Sequence, residues 1–169
     1  MSRIIILVGE PGCGKTEFGL NLLKNVDAKK KYLVDLDYIN PYFRGREHTN
    51  YLIENNIELL GSNFKGQDNV DMPAISADTK IPFFTESCFA VYDLAGGING
   101  VNALKLFEQE IIDNKDSIEL LYVANLACSV GKTEFEIKQF ISQINKNCAI
   151  KVSGIVNNTH LMSETTPEF

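Results

Sequence analysis

A run of five buried-type apolar residues, Ile4 to Val8, leads straight into Gly9-Glu10-Pro11-Gly12-Cys13-Gly14-Lys15-Thr16. The spacing is that of a G-x-x-x-x-G-K-[ST] phosphate loop, and its context of strand, glycine-rich turn and helix start is the one the motif requires. An apolar strand delivers the chain to a tight turn where glycines take backbone angles that side chains forbid. Successive N–H groups of such a turn point inward and form an anion cradle. Lys15 adds a positive charge for the β- and γ-phosphates, and the Thr16 hydroxyl is a ligand for Mg²⁺. A helix predicted over residues 15–25 directs its positive dipole end at the same anion. A chance turn between strand and helix needs one glycine and has no use for a Lys-Thr pair.

Composition bounds the rest. The 169 residues suit one domain, with 44% hydrophobic and 22% charged residues and a net charge of −6. No basic surface for nucleic acid is expected from that balance, and no apolar run reaches the length of a membrane span. The chain opens directly on a strand, which leaves no room for a signal peptide. The cysteines, Cys13, Cys88, Cys128 and Cys148, form no C-x-x-C pair, so neither a zinc ribbon nor a dithiol redox site is expected. Cys88 and Cys148 read as small core residues, Cys13 as the occupant of a variable loop position, and the whole as a cytoplasmic protein in a reducing compartment.

Along the chain, strands are predicted at residues 31–37, 57–60, 88–93, 118–124 and 150–156. Helices are predicted at residues 42–55, 102–112 and 133–144, and residues 61–82 read as a surface excursion rich in Gly, Asn, Asp and Pro. Strands alternating with helices imply an α/β fold, a mostly parallel sheet with helices on both faces. In such a sheet ligands bind at the carboxyl edge. The suspicious polar residues collect there: the loop 9–16, Asp35, Asp37, Asp93, Gly96, Asn125, Asn157 and Asn158. Thr165-Thr166-Pro167-Glu168 announces a helix, with Thr166 as N-cap and Pro167 in the first position, one residue before the sequence stops. A C-terminal truncation is expected on that ground.

Asp93 ends an apolar strand, where a carboxylate holds Mg²⁺ directly or through water. Gly96 lets a backbone N–H approach the γ-phosphate as a switch. Asp35 and Asp37 either orient the attacking water, share the metal, or are plain turn residues. Arg44 and Arg46 clamp a phosphate, reach a partner, or decorate a helix. The Asn157-Asn158 pair suits an adenine edge, whereas a guanine-reading Asn-Lys-x-Asp is absent from the sequence. His48 and His160 read as ordinary surface or turn residues. Gly131-Lys132-Thr133 reads as a helix start, since Leu126 stands where a second phosphate loop would need its first glycine.

These motifs resemble the MinD/ParA-type (CobQ/CobB/MinD/ParA) nucleotide-binding family, especially small bacterial ATP-binding proteins. The resemblance rests on residues 9–16, the stretch Val34 to Arg44, Asp93 with Gly96, and Gly154 to His160. It implies ATP and Mg²⁺ as cofactors, with Lys15 and Thr16 on phosphate and metal, Asp37 near the attacking water, and Asn157 on adenine. The full set expected at the nucleotide is Gly9, Glu10, Pro11, Gly12, Cys13, Gly14, Lys15, Thr16, Glu17, Gly96 and Asn157. Thr16, Asp37 and Asp93 are expected at the metal, and Lys15, Asp37 and Asp93 at the chemistry. Members of the family often form homodimers around ATP. Dimerising members carry a lysine at the second loop position that crosses to the partner's nucleotide; here that position is Glu10. The functions implied are an ATP-controlled switch with slow Mg²⁺-dependent hydrolysis and an unidentified protein partner, a small-molecule kinase, or a nucleotide sensor without turnover.

Overall fold

The computed structural model describes residues 2–37, 49–61, 76–127, 133–160 and 165. Six strands, β1 (Arg3–Val8), β2 (Lys30–Leu36), β3 (Ile57–Leu60), β4 (Cys88–Leu94), β5 (Ile118–Ala124) and β6 (Val152–Asn157), form one sheet in the order β3-β2-β4-β1-β5-β6. Every pairing is parallel. The near-continuous apolar runs of β1 and β4 follow from that, because a central parallel strand is covered on both faces; all seven residues of β4 are buried.

Side chains alternate across the sheet, so each strand supplies two cores. Ile4, Ile6, Val8, Tyr92, Leu120 and Tyr122 point to one face. There they meet α3 (Ile81–Phe84), α4 (Gly97–Ala103), a 3₁₀ turn at Leu104–Phe107, α5 (Glu108–Asp113) and α6 (Glu134–Asn147). Ile5, Leu7, Leu33, Val91 and Val123 point to the other, under α1 (Lys15–Asn25) and α2 (Thr49–Glu54). The expectation of an α/β sheet with helices on both faces therefore holds, and the sheet is parallel throughout. Among the described residues, no helix is long and apolar enough to cross a membrane.

Three local readings change. The helix expected over residues 102–112 begins at Gly97 and passes through the 3₁₀ turn at Leu104–Phe107 before resuming as α5. Leu104, Phe107 and Ile111 still seat in the core, as their spacing required. Residues 77–82, read as surface excursion, are a 3₁₀ turn (Ala77–Lys80) running into α3. Thr79, Pro82 and Phe83 are buried there, the Tyr92 hydroxyl donates to Thr79 O at 2.7 Å, and the Phe83 ring packs against Tyr92 and Phe107. One buried aromatic on a short helix outweighs the polar composition around it. Of the helix expected over residues 42–55, Thr49–Glu54 is helical. Arg44, Arg46, His48, Cys128, Lys132 and the helix start at Thr166 lie outside the described residues, as do residues 62–75.

Thr133 caps α6 with a complete capping box: its hydroxyl accepts from the Glu136 N–H, and the Glu136 carboxylate accepts from the Thr133 N–H. Cys88 lies in the core with its thiol on Pro82 O, and Cys148 packs beside the same core, both as free thiols.

Candidate functional site

The carboxyl ends of β1, β2, β4, β5 and β6 gather the site, and β1 sits at its centre. Register across the sheet sets Leu7 beside Asp93 and Val8 beside Tyr122, so the loop leaving Val8 emerges between the ends of β4 and β5. Gly14 takes φ +87° as it turns into α1. A Cβ there would also collide with the amide nitrogen of Asn158, so Gly14 is required twice over. The first helical bond is Phe18 N–H to Gly14 O. The N–H groups of Lys15, Thr16 and Glu17 are thus left facing the loop without helical partners. Glu17's carboxylate is not part of the cluster: it is exposed and accepts from Asn21 one turn on.

Lys15 is 7% exposed. Its ammonium folds back across the loop, donating to Glu10 O at 3.1 Å and Gly9 O at 3.4 Å, with Cys13 Sγ at 3.8 Å. The buried Cys13 sulfur fills the space beneath Gly9, where a Cβ would lie 2.9 Å from it. The loop therefore holds a desolvated positive charge, coordinated by its own carbonyls.

Across from it, the Thr16 hydroxyl donates to Asp93 Oδ2. Asp93 is 4% exposed, and its other oxygen, Oδ1, is buried with no hydrogen-bond partner among the described residues. Burial raises its pKa to about 7, and the nearby Asp35 and Asp37 push the same way. The Thr16 hydrogen bond and the Lys15 charge oppose that rise. A buried carboxylate with one orphaned oxygen, next to a hydroxyl and two further carboxylates, presents oxygen donors to a cation. Hard oxygen donors of this kind suit Mg²⁺. No group of three or more His, Cys, Asp or Glu among the described residues would hold a metal alone.

Asp35 lies beside Asp93 in register, and its Oδ1 accepts from the Asp37 N–H at 3.0 Å. The pair thus closes an Asx turn at the end of β2, which keeps both carboxylates, half-buried, at the site. Gly96 is pressed against the loop: a Cβ on it would lie 2.5 Å from Pro11 N. One residue on, Gly97 N–H donates to Gly9 O at 3.0 Å.

The end of β6 gives Asn158, read from the sequence together with Asn157 at an adenine edge, a different place. Asn158 Nδ2 donates to Cys13 O at 2.9 Å, and its backbone N–H to Ala124 O at 2.7 Å. It braces the middle of the phosphate loop against the ends of β5 and β6. Asn157, expected on adenine, is exposed and accepts from the Thr159 N–H; Thr159 in turn accepts from Leu126 N–H. The available signal was the doubled asparagine after a strand, which does not say which of the two turns inward. Glu10 is half-buried, and burial raises its pKa, with Lys15 opposing and Glu136 adding to the rise. No cation stands at that loop position.

No protein-family model and no curated protein matches the chain. Among solved structures, the signal recognition particle receptor FtsY from Elizabethkingia anophelis is similar in fold, with a TM-score of 0.54 at 17% identity. The match covers 92% of this chain and 49% of that one, so the chain spans about half the length of that protein. The likeness supports the fold, a parallel α/β sheet with helices on both faces.

Proposed function

We propose that this chain binds ATP with Mg²⁺ at the loop of residues 9–16 and acts as a nucleotide-controlled switch with slow hydrolysis. The observation that carries the reading is the orphaned Oδ1 of Asp93 beside the Thr16 hydroxyl, under a loop that already holds the Lys15 ammonium. Thr16 and Asp93 would hold the metal, which when bound neutralises charge on the phosphates.

The chain's own groups account for the rest. Lys15 exchanges weak carbonyl contacts for charge-assisted bonds to phosphate oxygens. The free N–H groups at the start of α1 orient the phosphates. Asp37 lies at the end of β2 on the metal side, where a carboxylate would orient an attacking water. Asn157 would face the base, and the missing Asn-Lys-x-Asp favours adenine over guanine. That FtsY is named a signal recognition particle receptor is compatible with a switch that answers to a protein partner.

A second reading is nucleotide sensing without turnover. Glu10 favours it, because an anion occupies the loop position where a catalytic cation from a partner copy would have to originate.

Calorimetric titration of Mg²⁺-ATP and Mg²⁺-GTP, with Lys15→Ala as control, tests the proposal. Saturable ATP binding that is lost in the variant and weaker for GTP is expected. Equal or tighter GTP binding overturns the adenine assignment, and no binding of either overturns the reading. Phosphate release measured on the same samples separates slow hydrolysis from sensing.

A further inference from the structure

We propose that an apolar pocket at the amino end of the sheet binds a small amphiphilic anion, a molecule with an apolar body and a carboxylate head. The pocket lies at the opposite end of β1 from the phosphate loop, and its occupant is independent of the nucleotide reading.

The pocket follows from how α1 is laid on the sheet. α1 packs chiefly on β4 and β2. Near its middle, Gly19 permits an approach so close that a Cβ would come 3.0 Å from the Val91 side chain and 3.1 Å from that of Leu7. One turn later, beside the amino halves of β1, β4 and β5, a pocket of about 290 Å³ opens. Ile5, Phe89 and Leu121 line it from the sheet, and Phe18 and Leu22 from the helix. Phe18, Leu22 and Leu121 are only half-buried. Walls of this kind give water few hydrogen-bond partners, so an apolar body that displaces it gains burial of its own surface and theirs. The volume is at the small end of ligand pockets, which suits a short chain or a single ring.

Charge at the mouth selects the head group. Arg3 and Glu119 line the same pocket, and the guanidinium donates to Glu119 Oε1 at 2.6 Å. That bond uses one of several N–H donors on the fork. The Arg3 side chain is 57% exposed, so donors remain for a second carboxylate. Register sets Lys31 on the far side of Phe89 from Arg3. Two cations thus flank that ring on the pocket's face of the sheet, against Glu119 as the single carboxylate among the lining residues. The carbonyl end of α1 is partly occupied at the rim: Leu22 O accepts from Val26 N–H, and Asn21 O from Asn25 Nδ2. An incoming carboxylate meets a net positive mouth in a chain of net charge −6, and Arg3 can bind it with a charge-assisted hydrogen bond.

The test is calorimetric titration of octanoate into the whole chain, with 1-octanol and octylammonium as probes of the head group and residue shifts followed by NMR. Octanoate should bind saturably, with shifts at Phe18, Leu22 and Leu121. Hexanoate, two methylenes shorter, should bind roughly fifteenfold more weakly. Arg3→Gln should weaken octanoate roughly tenfold and leave octanol unchanged. Glu119→Gln, which frees the guanidinium, should strengthen octanoate; weakening there as well would make the ion pair merely structural and overturn the assigned head group. Both side chains stand at the solvent-exposed rim, so these variants keep the fold. Equal binding of the three head groups also overturns the anionic ligand. No binding of octanoate, or shifts confined to residues 9–16, overturns the site and leaves the pocket to a protein surface. Neither result bears on ATP binding, which the titration under the proposed function decides separately.

Discussion

Thr16 and Asp93, at the start of α1 and near the end of β4, are joined by a hydroxyl-to-carboxylate hydrogen bond across 77 residues of sequence. That bond holds together the two residues that would hold a metal ion in the proposed function. Thr16→Ala leaves both oxygens of a buried carboxylate without a donor, a change that costs ~1–3 kcal/mol. Its thermal midpoint should fall, whereas Thr16→Ser should stay near wild type. Titrations with and without Mg²⁺ should show that Thr16→Ala loses the metal-dependent part of ATP affinity and keeps the metal-independent part.

Asp93 also makes stability depend on pH. Its folded pKa of about 7 stands above the ordinary value of 3.8, so between those values the folded chain holds a proton that the unfolded chain has released. Stability from this group is therefore greatest at low pH and declines as pH rises from about 4 to about 7, levelling off above. The full effect is bounded at about 4 kcal/mol by the size of that difference. Thermal melts of the nucleotide-free protein across this range should show the decline, and Asp93→Asn should flatten it. A wild-type profile that rises with pH through this window, and is unaltered by the substitution, would count against the buried ionisation.

Asn157 and Asn158 should separate cleanly. Asn158→Ala removes the brace on Cys13 O, and a hydrogen bond of that kind contributes about 0.5–1.5 kcal/mol. ATP and bare tripolyphosphate should both bind more weakly, because the shape of the loop is what suffers. Asn157→Ala should leave tripolyphosphate binding unchanged. If it weakens ATP alone, Asn157 reads the base; if ATP is unaffected as well, adenine recognition falls to another residue.

Phe83 tests the corrected reading of residues 77–84. It packs on Tyr92 and Phe107, and truncating a buried phenylalanine costs ~3–5 kcal/mol. Phe83→Ala should lower the denaturation midpoint severely. Phe84→Ala, at a position 75% exposed, should change it little. Equal effects at the two positions would show that this segment is not part of the core.

Much of this was legible in residue order, for identifiable reasons. The α1 bounds and those of β5 match the expectation residue for residue, because the glycine loop and the flanking polar residues punctuate the apolar runs sharply. Asp93, Asp35 and Asp37 were placed correctly at the sheet edge by the rule that ligands meet strand carboxyl ends. Which asparagine faces the loop was not legible: the answer depends on the twist of β6 against β5, and that pairing carries a register irregularity near Leu121. Nor was the burial of Phe83, which follows from a gap over Tyr92 and Phe107 that only the assembled sheet creates. The inward fold of Lys15 onto Gly9 O and Glu10 O likewise needs the loop closed before it has acceptors to meet.

The sheet order also has a consequence for how the molecule comes into being. The phosphate motif is complete in the first sixteen residues, yet its strand β1 lies between β4 and β5, with Arg3 beside Phe89 and Ile4 beside Ile118. Thr16 waits for Asp93, and Cys13 waits for Asn158, which is 145 residues downstream. Pairings of such long range are slow to form. A growing chain thus displays the motif before the strands and the asparagine that complete its cradle. On the nucleotide-binding proposal, retention on an ATP-bearing matrix would then report completed folding, and misassembled chains would pass through.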